Sequence, residues 1–177
     1  MNKVKYLFIL VLSRILGRGN DFIVGQFRKC GMTIGEGTHI FSNIPAEPYL
    51  IEIGSNSSIS TNVSFVTHDA SVGVFLGRDN KSDLCVRIKI GNNCFIGNNS
   101  ILLYGVSLPD RTLVASGSVV TKSVTESGLI LGGNPARVIG RVDDFLEKNK
   151  ELFLSLQGKS SAEKKKIILQ SNKLVVR

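Results

Sequence analysis

The chain has 177 residues, 42% of them apolar, with 22 Lys and Arg against 14 Asp and Glu for a net charge of +8. That length and composition suit one ordinary domain with a real core and exclude a disordered, fibrous or small disulfide-stapled protein. Counted by segment, residues 1–29 carry +5, residues 30–135 carry −2 and residues 136–177 carry +5, so the basicity sits at the two ends and no nucleic-acid partner is expected along the body.

From the start of the chain, the longest apolar run, Tyr6 to Leu12, falls far short of the ~20 residues that span a bilayer. The arginines that follow stand where a secretion signal would need small residues. Val4, Leu7, Phe8, Val11, Leu12, Ile15 and Leu16 recur at helical spacing, with Lys3, Arg14 and Arg18 outside the stripe. This predicts an amphipathic N-terminal helix within segment 1–29. It either docks on the protein's own body or a neighbouring subunit, or makes a peripheral contact with an anionic membrane. Cys30, Cys85 and Cys94 form no CxxC pair, which points to a reducing, cytoplasmic setting, at the inner face of the membrane if the basic segment binds there.

The middle of the chain is periodic. Stepping by six from Ile90 gives Ile96, Leu102, Leu108, Val114 and Val120, and four residues after each of the six comes a small one: Cys94, Ser100, Val106, Thr112, Ser118 and Val124. Ile34–Ile40 and Ile53–Ile59–Phe65 repeat the pattern upstream. Six is even, so a strand residue keeps its inward sense from one repeat to the next, and stacked short strands place one aliphatic column in the interior. Glycine and asparagine supply the corners.

The register breaks between Phe65 and Ile90, a gap of 25 where 24 would keep phase, and the inserted loop, residues 66–89, opens on Phe-Val-Thr-His-Asp. A loop projecting from a rigid coil is where function concentrates. His68 is the candidate general base, since an imidazole near pKa ~6.5 can take a hydroxyl proton at neutral pH. His39 closes a hexad and is expected at a solvent-facing corner.

The segments Ile-Lys-Ile-Gly-Asn-Asn-Cys-Phe-Ile-Gly (88–97), Val-Ala-Ser-Gly-Ser-Val-Val-Thr-Lys (114–122) and Gly-Gly-Asn-Pro-Ala-Arg-Val-Ile (132–139) resemble the hexapeptide-repeat acyltransferases. Within them they resemble the maltose, galactoside and xenobiotic O-acetyltransferase branch. The resemblance implies a mainly β fold, a left-handed parallel β-helix over 30–140, in a homotrimer with active sites between adjacent prisms and acetyl-CoA as acyl donor. It places the family's catalytic histidine at His68. It puts Phe95 on the pantetheine channel or at the trimer contact, the backbone N–H at Asn98 against the thioester oxygen, the main chain of Ser116 beside pantetheine, and Thr121 among the cosubstrate-binding residues as part of the family's Thr-Lys pair. Lys122 and Arg137 face the coenzyme A phosphates, where cations pair strongly with phosphate oxygens. Asn43, Tyr49 and Asp69 are candidates for the acceptor, and Asp69 also for orienting the imidazole. Two histidines cannot supply the three-histidine zinc site of the carbonic anhydrases built on this fold, so no metal is expected.

Beyond the coil, segment 141–177 reads as a C-terminal helical extension. Val142, Phe145, Leu146, Leu152, Phe153 and Leu156 predict one helix stopping by Gly158, and Ser161 to Gln170 a second whose Lys164, Lys165 and Lys166 form a solvated face. The function expected is an acetyl-CoA-dependent O-acetyltransferase acting on a hydroxyl of a saccharide or polysaccharide precursor. His68 deprotonates the hydroxyl and the acyl group passes directly; Cys85 is the residue that a covalent route would use. N-acetylation of an amino sugar and a catalytically silent interaction scaffold are the alternatives.

Overall fold

Strands form where the hexads place them, and most are only two or three residues long. The computed structural model describes residues 19–77 and 81–171; the helix expected over Val4–Leu16 and the last residues of the chain lie outside the described residues. Three parallel sheets are visited in rotation. The first contains β1 (Thr33–Ile34), β3 (Ile51–Ile53), β8 (Ile88–Ile90) and β11 (Ser107–Leu108). The second contains β2 (His39–Ile40), β4 (Ser58–Ile59), β9 (Phe95–Ile96), β12 (Leu113–Val114) and β14 (Leu129–Gly133). The third contains β5 (Ser64–Val66), β10 (Ile101–Leu103) and β13 (Val119–Val120). The turns β3–β4–β5, β8–β9–β10 and β11–β12–β13 each add one strand to every sheet, which makes a three-faced coil.

The hexad column is its core. Ile40, Ile59, Ile96, Leu102 and Val114 are fully buried, as are Ile53, Ile90, Leu108 and Val120 to within 2%. The small fifth positions turn the corners inside. Thr38, Ser100 and Ser118 donate their hydroxyls to Gly54 and Ala115 carbonyls at 2.6, 3.1 and 2.6 Å, so the buried hydroxyls are satisfied by corner carbonyls. Cys94 shares this role, packed against the Pro109 carbonyl, and burial pushes its thiol pKa up; it is a packing residue. Asn56, Asn62, Asn93 and Asn99 take φ between 54 and 58° at the corners, the left-handed conformation asparagine tolerates.

Strand accounts for about 27% of the described residues, because turns between such short strands consume more chain than the strands themselves. What the sequence describes as mainly β is therefore parallel sheets with flanking helices. Two elements were not foreseen. Helix α1 (Asn20–Lys29) buries Val24 and Phe27 against the first strands, and its Arg28 donates to the Ile34 carbonyl at 2.9 Å. At the other end β15 (Ala136–Arg141) turns back antiparallel on β14. The chain divides into two compact units at Val142/Asp143. In the second unit, helix α3 runs over Val142–Asn149 and ends earlier than the spacing predicts, passing into a 3₁₀ turn at Lys150–Leu152. The last helix, Ser161–Ser171, starts on a reciprocal cap. The Ser160 N–H donates to Glu163 Oε2 at 2.8 Å and the Glu163 N–H to Ser160 Oγ at 3.3 Å.

Candidate active site

The excursion from the coil occupies residues 67–87 and is built as a hairpin. β6 (His68–Asp69) pairs antiparallel with β7 (Leu84–Cys85), His68 opposite Cys85, around the short helix α2 (Ser71–Leu76). The hairpin is closed at its base by the Val86 N–H donating to the Thr67 carbonyl at 3.0 Å.

The partner of His68 is Glu47, 21 residues earlier, whose Oε2 lies 2.9 Å from Nδ1. The Thr67 hydroxyl donates to the same oxygen. Glu47 stands between Pro45 and Pro48 and takes φ −114° and ψ 75°, outside the helical region that a following proline disfavours. The Thr67 hydroxyl, with the imidazole, holds the Glu47 carboxyl below its ordinary pKa. Glu47 in turn, through its hydrogen bond and its charge, raises His68 above the ordinary 6.5. A carboxylate only accepts, so Nδ1 carries the proton and Nε2 is left with the lone pair. The arrangement makes Nε2 a proton acceptor that is oriented, and stabilised once charged, by Glu47. Replacing Glu47 by glutamine removes the charge that raises the imidazole pKa, so the acidic limb of kcat/KM moves to lower pH while the plateau drops by about tenfold. Rate against pH for wild type and Glu47→Gln checks this.

Asp69 therefore does not hydrogen-bond the ring. Adjacent strand residues point to opposite faces, and Asp69 accepts from the Ser71 N–H at 2.9 Å and from the Tyr104 O–H at 3.1 Å. Asn43 lines a cleft of about 360 Å³ with Ile44, Pro45, Asn62, Val63, Ser64 and Phe65. Both of its walls run on into the His68–Glu47 pair, one from Pro45 to Glu47 and the other from Phe65 to His68. Tyr49 is not in this lining; it stands exposed after Glu47 and over Gly31.

Strand register places the other candidates. Val66 pairs with Leu103, and Leu102 with Val120; one step beyond the first pair and two beyond the second, Thr67, Tyr104 and Lys122 occupy the same corner in successive layers ~4.8 Å apart. Lys122 and Arg137 meet in a cleft of about 230 Å³ walled by Val120, Val124, Leu131 and Val138. Two exposed cations over aliphatic walls fit a ligand with an apolar arm and phosphates. Thr121 immediately precedes Lys122 on this corner. Phe95 is 46% exposed on the outer face of its sheet, between Ser58 and Leu113. Asn98 and Ser116 occupy equivalent corners one layer apart. The Asn98 carbonyl accepts from the Gly117 N–H at 2.8 Å, and its side chain accepts from the Thr61 N–H at 3.2 Å. Among the described residues no His/Cys/Asp/Glu group could hold a metal ion. His39 is exposed and stacked on Phe41. The sequence reading missed Glu47 and Tyr104.

A base-bearing hairpin on a hexad coil, followed along one corner by a cationic cleft, defines an acyltransferase site. Residues 87–122 match the family model described as the hexapeptide repeat of succinyl-transferase. Protein CapG of Staphylococcus aureus is 36% identical over 149 residues, 82% of this chain and 83% of that protein. The galactoside O-acetyltransferase of Escherichia coli is 31% identical over 64% of this chain and 57% of its own length. A hexapeptide-repeat acetyltransferase of Vibrio cholerae, solved with acetyl coenzyme A, superposes with a TM-score of 0.56 at 27% identity, covering 63% of this chain and 61% of that one. The chain belongs to the hexapeptide-repeat acetyltransferase family, and within it is similar to the galactoside O-acetyltransferase.

Proposed function

We propose that the protein transfers an acetyl group from acetyl-CoA to a hydroxyl of a saccharide or polysaccharide precursor. The observation that carries this is the His68–Glu47 pair, whose two segments continue from the lining of an uncharged cleft and whose corner of the coil, two layers on, carries Lys122 of a cationic one. The cosubstrate brings an acyl group activated as a thioester. Lys122 and Arg137 hold its phosphates, and the aliphatic walls between them take its apolar arm. The acceptor lies in the cleft lined by Asn43, Asn62 and Ser64, whose amides and hydroxyl suit a neutral sugar ring. His68 Nε2 removes the proton from the attacking hydroxyl, and Glu47 stabilises the imidazolium that forms. Transfer is direct, since the bonded partner of the imidazole is Glu47 and not Cys85.

The coil is read as a left-handed β-helix, supported by the six-residue period and the left-handed asparagine corners. A homotrimer is supported by the outer faces. One bears Thr33, Glu52, Lys89 and Ser107, whereas the other two bear Phe95, Leu113 and Ile130, and Val66, Ile101, Leu103 and Val119. A closed ring needs two different adhesive faces per subunit and leaves the polar one to water. A cytoplasmic setting fits the free thiols of Cys30, Cys85 and Cys94, and the basic first 29 residues suit an anionic membrane face.

The test is thiol release from acetyl-CoA across a panel of sugars and amino sugars. Turnover with hydroxyl acceptors supports the reading; turnover confined to amines moves it to N-acetylation, and no thermal shift with coenzyme A favours a scaffold. Lys122→Ala and Arg137→Ala each raise KM for acetyl-CoA, by roughly two- to fivefold for such exposed charges, and leave the acceptor KM in place.

A further inference from the structure

We propose that Tyr104 is a positioning residue for the reaction, acting through Asp69 to set where the imidazole of His68 stands between the two clefts. The inference rests on the assignment of His68 as base and adds to it a second tether from the opposite side.

The hairpin that carries His68 is only two residues wide on each strand, and a pair that short is not stable without outside support. On the side of the earlier coil the support is Glu47, bonded to Nδ1. On the side of the later coil it is Tyr104, whose O–H donates to Asp69 Oδ2 at 3.1 Å. Tyr104 is well placed for this because it follows β10, which is hydrogen-bonded to both β5 and β13 and so sits in the middle of its sheet. Gly105 then takes φ 78° and turns the chain away. Asp69 uses its other oxygen on the Ser71 N–H at 2.9 Å, which opens helix α2. One carboxylate thus joins the coil, the strand bearing the base and the start of the helix that follows. His68 and Asp69 are adjacent, so a rotation that frees Asp69 from Tyr104 also turns the imidazole about the strand axis. Tyr104 also occupies the layer between Thr67 and Lys122, so the tether sets the height of the base relative to the cationic cleft. A small misplacement of a catalytic group costs far more in rate than in binding.

Tyr104→Phe removes the hydroxyl and keeps the ring. The expected result is a fall in kcat on the order of tenfold with KM for acetyl-CoA within about twofold and melting temperature nearly unchanged. Asp69→Ala reproduces that fall, and Asp69→Asn, whose oxygen keeps the Ser71 N–H while its NH2 donates to the Tyr104 hydroxyl oxygen, recovers most of it. The double variant Tyr104→Phe/Asp69→Ala is no worse than either single one, as for two ends of one interaction. The chain has two histidines, so His39 serves as an internal reference for proton NMR: Tyr104→Phe shifts the His68 ring signals and leaves those of His39. Wild-type kcat in Tyr104→Phe, additive losses in the double variant, or unmoved His68 signals would each overturn the proposal. Full activity in His68→Ala would instead overturn the base assignment, and the NMR readout stands without any acceptor.

Discussion

Replacing His68 by alanine lowers kcat for acetyl transfer by roughly 10²–10⁴, the range that one positioned base supplies. The loss falls on kcat and not on KM, because the side chain lies outside the cationic cleft that holds the cosubstrate and outside the lining of the cleft assigned to the acceptor. Thermal shift with coenzyme A is therefore retained, which separates a chemical defect from a folding one. Glu47→Gln loses less, about tenfold, since it leaves the base in place and removes only its orienting charge. The order of the two variants is itself informative. Wild-type activity in Glu47→Gln would remove the carboxylate from the mechanism, and full activity in His68→Ala would remove the imidazole. Stopped thiol-release traces for both variants against one acceptor decide between these assignments.

The coil was legible because its signal is redundant. Every turn repeats the same demand for a buried aliphatic residue and a small corner, so a single misread position does not shift the register. The corner hydroxyls of Thr38, Ser100 and Ser118 and the left-handed asparagines follow from the same period. Glu47 was not legible for the converse reason: it stands in Ser42–Leu50, where the hexads lapse, and its partner is 21 residues away. The one local signal is the pair of prolines that brackets it, which says that the backbone is fixed there without saying toward what. Tyr104 was hidden differently. It sits inside the periodic region, two residues past an inward leucine, and only the strand register shows that its corner lies one layer above Thr67. Helix α1 was missed because Gly25 interrupts a short apolar stripe that lacks a side-chain cap. The reversal at β15 gave no periodic signal at all.

The same stacking that makes the coil legible makes it intolerant where its layers touch. A Cβ on Gly54 would stand 2.6 Å from the Gly91 carbonyl carbon and 2.7 Å from the Asn92 nitrogen. Both are backbone atoms of the next layer, and neither can swing aside as a flexible side chain would. Relief requires the two coils to separate locally. The β3–β8 bonds on one side of the corner, Ile53 to Ile90, and the β4–β9 bonds on the other, Ile59 to Ile96, resist that. Gly54→Ala is therefore expected to cost as much as a severe overpacking substitution, about 3 kcal/mol, and to lower the melting temperature by roughly 6–12 °C for a domain of this size. Gly25→Ala is the control. It adds the same methyl group in helix α1, where nothing lies within 4 Å, and alanine is the better helix former by roughly 0.5–1 kcal/mol. That variant is expected to melt at or slightly above the wild-type temperature. Denaturant unfolding of both proteins checks the pair. Equal stabilities would mean that adjacent layers of the coil can part without loss, which is incompatible with a core built from one continuous column.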